Sequence, residues 1–192
     1  RFDPARFATL LAQYRATGAS LVPTMLRRVL DALGECGPLA GLEALRAIDI
    51  GGSALGAADR ARAIALFGPR LGIIYGLTEA SWTCYRPPPN APAAVGAVGR
   101  SLGPNRVAIR NHTGAEVALG EEGEVTIHGP HLMSGYWQQP EATRATLRGG
   151  WLHTGDLGHV DAEGTLTITG RLKDVIRSGA KSVIPAEVEA AI

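Results

Sequence analysis

The chain has 192 residues, 45% hydrophobic and 19% charged, and its 19 basic and 18 acidic side chains leave a net charge of +1. That is the composition of a soluble globular protein with room for one domain, or one and a fraction. No apolar run approaches the roughly 18 residues of a membrane span, no signal-peptide pattern opens the chain, and the lack of a basic stripe argues against a nucleic-acid partner.

Asp3 before Pro4 reads as a helix start, a side-chain acceptor ahead of a proline whose missing N–H is harmless there. Phe7, Leu10, Leu11 and Tyr14 then recur at helical spacing up to a stop at Gly18. A short strand is expected over 19–22, and a helix over 24–33 with Leu26, Val29, Leu30 and Leu33 on one face. A strand over 45–50 empties into Gly51-Gly52-Ser53, an alanine-rich helix follows over 57–67, and a strand over 71–75 runs into Gly76-Leu77-Thr78-Glu79. Short apolar strands alternating with helices of this length predict a parallel α/β sheet. Ligands sit at the carboxyl ends of strands in such sheets. The glycines there either serve a site or merely turn the chain.

Residues 86–104 are loop-like, and from Arg106 the apolar period shortens to two, as in Val107/Ile109, Val125/Ile127 and Leu166/Ile168. Turn signals at Asn111–Gly114 and Asp161–Gly164 separate these runs, which predicts a small antiparallel unit, a distorted barrel or a sandwich. A mixed pattern closes the chain, with Pro185 opening a helix. Arg1 stands where a methionine would open a full gene product, and the last helix pattern runs off Ile192, so both ends are expected to be cut.

Glycine is in excess at 25 residues, spread without a repeat, so collagen and low-complexity chains are excluded. Seventeen of the 19 basic residues are arginine; Lys173 and Lys181 lie near the end, so no P-loop of the G-x-x-x-x-G-K kind exists upstream. Cys36 and Cys84 show no metal or redox spacing, and a reducing cytoplasmic setting is the expectation. Gly129-Pro130 breaks any helix that would put His128 and His131 on one face, which argues against a metal pair. His153, Trp137 and Trp151 read as packing or loop residues.

Four short segments occur in a fixed order: Tyr75-Gly76-Leu77-Thr78-Glu79, Gly123-Glu124-Val125 through Gly135-Tyr136-Trp137, Thr154-Gly155-Asp156, and Gly170-Arg171-Leu172-Lys173-Asp174. Singly each is weak, since Thr-Gly-Asp fits any turn and Arg171 with Asp174 fits an ordinary ion pair. Together, with Gly51-Gly52-Ser53-Ala54-Leu55 and Ser178-Gly179-Ala180 through Glu189, they resemble the adenylate-forming superfamily of acyl-CoA synthetases, luciferases and peptide-synthetase adenylation domains. Leu77 resembles the acyl- and aryl-CoA ligases, because peptide-synthetase domains usually carry proline there.

The resemblance implies part of a parallel-sheet α/β subdomain over 1–90, a distorted antiparallel β-barrel over 91–170, and the hinge and start of a C-terminal α+β domain over 171–192. It implies a ligase that activates a carboxylic acid with ATP, releases pyrophosphate, and passes the acyl group to the thiol of CoA or a carrier protein. By the same resemblance Thr78 serves the α-phosphate, Glu79 serves Mg²⁺, and Gly51, Gly52, Ser53, Tyr75 and Gly76 line the adenine and acyl groups. Asp156 and Arg171 serve the ribose and phosphate, Lys173 is the hinge, and Gly179 belongs to the thiol-tunnel loop, with Ala180 replacing the usual second glycine. Ala80, Ser81 and Trp82 are placed beside the acyl pocket. A hairpin centred on Asp161–Gly164 would bring Asp156 and Arg171 to one end.

The glycine-rich Ser/Thr loop that grips ATP in that superfamily has no match in this chain, nor has its catalytic lysine. The expectation is therefore a fragment with little or no adenylation of its own. The alternatives are a non-catalytic nucleotide-binding or scaffold protein, an adenylation domain serving a carrier protein, and a dinucleotide-binding domain. The last is disfavoured because no G-x-G-x-x-G follows a strand.

Overall fold

The computed structural model describes residues 2–34, 37–88, 95–178, 181–183 and 185. The chain forms two compact units, one from 1–75 with 85–95 and one from 76–84 with 96–192.

The first unit starts with helix α1 (Pro4–Gln13), capped as expected: Asp3 Oδ1 accepts from the Arg6 N–H at 3.0 Å. Strand β1 (Gly18–Leu21), helix α2 (Pro23–Leu33), strand β2 (Ala47–Ile50), helix α3 (Ala57–Phe67) and strand β3 (Leu71–Leu77) follow. β1, β2 and β3 lie side by side and parallel, with Leu21 opposite Ile50 and Ile50 opposite Ile73. The α2 face predicted from the sequence is buried: Leu26, Val29 and Leu30 pack with Ile48, Ile50, Leu66, Phe67 and Leu71 in one core. This burial of apolar area is what holds the helices on the sheet. On the exposed side, Arg27–Asp59 (2.6 Å) and Arg62–Asp31 (2.9 Å) join α2 to α3.

β3 extends two residues beyond the expected strand, through Gly76 and Leu77, and strand β4 (Ser81–Arg86) returns after a turn at 78–80. The sequence did not announce β4. The second unit continues with β5 (Ala97–Ser101), β6 (Arg106–Arg110), β7 (Gly123–His128), helix α4 (Pro140–Thr146), β8 (Leu147–Arg148), β9 (Trp151–Val160) and β10 (Leu166–Arg171). A 3₁₀ turn, Leu172–Asp174, leads to a separate pair, β11 (Ile176–Ser178) and β12 (Lys181–Val183).

The strand order is β4–β5–β10–β9–β7–β6, with β8 beside β9. The expected barrel does not close: among the described residues the path leaves β6 at an edge instead of returning to β4. Val125, Ile127, Leu152 and Leu166, each at most 1% exposed, form its interior face. The expected hairpin is present. Asp161 and Thr165 close it, and the register puts Arg171 opposite Asp156.

β7 and β9 fall out of simple register at one place. Thr126 faces His153 and Glu124 faces Leu157, so Thr154, Gly155 and Asp156 oppose Val125 alone. This is a bulge with two surplus residues, and such bulges re-aim side chains. No helix among the described residues is long and apolar enough to cross a membrane.

Candidate active site

Three distant segments of the second unit converge on one cleft of about 550 Å³, lined by Gly76, Leu77, Thr78, Glu79, Thr154, Gly155, Arg171, Leu172 and Lys173. The β3–β4 turn supplies Thr78 and Glu79. Its tightness depends on Gly76, where a Cβ would collide with the backbone carbonyl of Ser81. The Met133 N–H donates to the Glu79 carbonyl at 2.7 Å, and the Tyr136 hydroxyl donates to Glu79 Oε1 at 2.8 Å. The phenol pKa of Tyr136 is raised, first by that hydrogen bond, then by burial and by the carboxylate charge. Tyr136 lay inside a quoted motif, but nothing in the local pattern pointed to a partner 57 residues away.

The β7–β9 bulge supplies Thr154 and Gly155. Thr154 Oγ1 donates to the Val125 carbonyl at 2.7 Å and accepts from the Asp156 N–H at 3.0 Å. Asp156 is not part of the cleft wall. It is 4% exposed, and its Oδ1 lies 3.1 Å from Arg171 Nε, whose side chain is half exposed. The ion pair of Arg171 is thus across the hairpin to Asp156. Lys173 sits exposed in the 3₁₀ turn on the cleft rim.

Gly51, Gly52, Ser53 and Tyr75 belong to the first unit. Gly51 and Gly52 follow β2 directly, and Tyr75 lies on β3. Gly179, with Ala180, lies outside the described residues, as does nearly all of the helix expected from Pro185.

One packing expectation needs correction. Trp137 is 85% exposed, with its indole in solvent, and the next residue, Gln138, has a left-handed φ of 53°. Of the residues placed beside an acyl pocket, Ala80, in the turn, is buried at 1% and Trp82, on β4, is 55% exposed. His153 is a bonded residue: its Nδ1 lies 2.7 Å from Glu124 Oε2. Trp151 does pack, between the Arg110 guanidinium at 4.7 Å and the His128 ring at 5.3 Å.

No group of three or more His, Cys, Asp or Glu side chains that could hold a metal occurs among the described residues. Among the described residues Glu79 alone offers a carboxylate at the cleft, one oxygen of which already accepts from Tyr136. That suits Mg²⁺, which is commonly bound by one or two carboxylates together with substrate phosphates and water.

The model of the AMP-binding enzyme family matches residues 1–137. The chain is 37% identical over 191 residues to the medium/long-chain-fatty-acid–CoA ligase FadD8 of Mycobacterium tuberculosis, covering 98% of this chain and 33% of that protein. Among solved structures it is similar to the amide bond synthetase McbA of Marinactinospora thermotolerans (34% identity, TM-score 0.89, 98% of this chain and 39% of that one). It is also similar to the O-succinylbenzoate CoA synthetase MenE of Bacillus subtilis in complex with ATP and magnesium (30% identity, TM-score 0.87, 99% and 39%). The chain thus spans between a third and two fifths of the length of these relatives. A match through more than half of its residues, joined to the motif-lined cleft, makes the chain a member of the AMP-binding enzyme family.

Proposed function

We propose that the cleft is the nucleotide side of a site that activates a carboxylic acid with ATP, and that the whole protein is an acyl- or aryl-CoA ligase. The observation that carries this reading is the meeting of Thr78 and Glu79 with Thr154, Gly155 and Arg171 in one cleft. Family membership and an ATP- and magnesium-bound relative support it.

In the proposed reaction a carboxylate oxygen attacks the α-phosphorus, the bond to pyrophosphate breaks, and a thiol then attacks the acyl carbon and displaces AMP. Such phosphoryl chemistry is served by positioning and charge neutralisation. The Thr78 hydroxyl donates to the α-phosphate, and the Arg171 fork serves phosphate and ribose oxygens. Glu79 would hold Mg²⁺, held in place by Tyr136, and the ion when bound offsets phosphate charge. Asp156 accepts from the ribose hydroxyls once the half-exposed Arg171 side chain yields one of its oxygens. Tyr75, Gly51, Gly52 and Ser53 keep the adenine and acyl roles given by the resemblance, Lys173 the hinge, and Gly179 the thiol tunnel. The division into 1–90, 91–170 and 171–192 is kept as the functional one.

The similarity to an amide bond synthetase favours a second reading, in which the adenylate is common and the acceptor is an amine. A carrier-protein thiol and a non-catalytic nucleotide-binding protein are the remaining forms. The deciding test is linkage, since a ligand that binds only the native state raises its stability by about 2.7 kcal/mol at 100 times Kd. AMP should raise the melting temperature of the 192-residue chain by several degrees, and Asp156→Ala should abolish the rise. An unmoved parent protein would remove the nucleotide reading.

A further inference from the structure

The bulge that carries Asp156 is fastened from outside its own strand. Glu124, on β7, accepts from the Gly155 N–H through Oε1 at 3.2 Å, and its Oε2 lies 2.7 Å from His153 Nδ1. A carboxylate only accepts, so Nδ1 carries the proton of that bond. Arg148 approaches the same carboxylate at 3.8 Å. Glu124 and His153 are 17% and 12% exposed, so their bond is shielded from competing water, whereas Arg148 is 57% exposed and adds little.

The geometry explains why a fastening is needed. Gly155 adopts a left-handed φ of 72°, and the bulge sets three residues against a single partner residue. Thr154 closes one side of it through Val125 and Asp156. The Gly155 N–H, at the apex, would otherwise lack an acceptor from the β7 ladder. One carboxylate at position 124 thus ties the entry of the distortion, at His153, to its apex, at Gly155.

We infer that Glu124 is a positioning residue of the nucleotide site, which latches the Thr154–Asp156 bulge in the conformation that presents Asp156 to the ribose hydroxyls. The inference rests on the nucleotide reading of the cleft. Its content is separate: reach of the Glu124 carboxylate, rather than charge at that position, sets the affinity contributed by the ribose.

The test uses the 192-residue chain, calorimetric affinities, and two probes, AMP and 2′,3′-dideoxy-AMP. Glu124→Asp keeps the charge but withdraws the carboxylate by one methylene; Glu124→Gln keeps an oxygen acceptor for the Gly155 N–H at full reach, its NH2 donating to His153 Nδ1 in the other neutral tautomer. Glu124→Asp should weaken AMP about fivefold to tenfold, the scale of one lost hydrogen bond that holds a site, and leave the dideoxy probe within about twofold. Glu124→Gln should stay within about threefold of the parent for both probes. Equal weakening of both probes, an unchanged AMP affinity in Glu124→Asp, or a loss in Glu124→Gln as deep as in Glu124→Asp would each overturn the latch.

Two controls complete the design. If the parent favours AMP over the dideoxy probe and Asp156→Ala removes the preference while Glu124→Asp does not, the latch fails and the nucleotide site stands. If the parent binds neither probe, both fall. Should Glu124→Asp lose its cooperative melt, amide exchange of Gly155 in the parent and in Glu124→Gln decides. A protected amide supports the latch, and exchange at the open-chain rate refutes it.

Discussion

The hydroxyl of Tyr136 and the carboxylate of Glu79 meet at 2.8 Å, and the bond fixes an acidic group at the cleft wall. Partners of this kind set the orientation of a metal-binding carboxylate and typically cost 10- to 100-fold in affinity when lost from tight sites. Tyr136 is only partly buried and Glu79 keeps its own backbone tie to Met133, so a smaller effect is expected here. Tyr136→Phe should raise the Mg²⁺ concentration needed for half of the ATP-induced melting shift about threefold to tenfold, with the melting temperature of the nucleotide-free chain little changed. A titration curve that overlays the parent's would show that Glu79 does not depend on the phenol. Asp156 and Arg171 were legible in the sequence as neighbours because a turn signal lies between them, although they face each other only through a one-residue shift of register between Ile168 and Gly170. Glu124, His153 and Tyr136 were not. Their bonds join residues 29 and 57 positions apart, and nothing local encodes such a meeting.

At the scale of elements, helices with a buried apolar face were readable to within a residue, as α2 and α3 show. Helix α4 buries no residue, so it has no stripe to read; its proline start was its only signal. β4 has no clean alternation: Ser81 and Trp82 are exposed, Thr83 and Cys84 buried, Tyr85 and Arg86 between. That strand carries an alkaline liability. Burial pushes the Cys84 thiol from 9.0 up to about 12. Burial, then the hydrogen bond to Asp49 and its charge, pushes the Tyr85 phenol from 10.0 up to about 12. Both groups bind their protons more tightly when folded, so their contribution is complete below pH about 9 and is lost as pH climbs toward 12. The urea midpoint should therefore fall steadily between pH 9 and 11, and Cys84→Ala should flatten part of that slope while lowering the midpoint at pH 8. A midpoint independent of pH over that range would contradict the burial assigned to β4.

For the molecule as a whole, the family was legible because its motifs are short, ordered and tied to backbone geometry that few other residues satisfy, such as the glycine at position 76. The open course of the antiparallel sheet was not, since closure depends on which edges meet and the two-residue period is the same either way. The chain spans about a third of FadD8 and has no match to the phosphate-gripping loop or the catalytic lysine of the superfamily it resembles. It should bind AMP yet give no carboxylate-dependent exchange of labelled pyrophosphate into ATP; robust exchange would show that the 192 residues suffice. The bulge in β9 also bears on how such a chain tolerates changes of length. Its surplus is two residues, an even number, so β9 leaves the distortion in the same phase in which it entered. Loss of one residue from 154–156 would turn Leu157 and everything up to Val160 inside out, whereas loss of two would restore a plain ladder with the core intact. The segment bearing Asp156 is in that sense an even-numbered insertion in a sheet that does not itself require it.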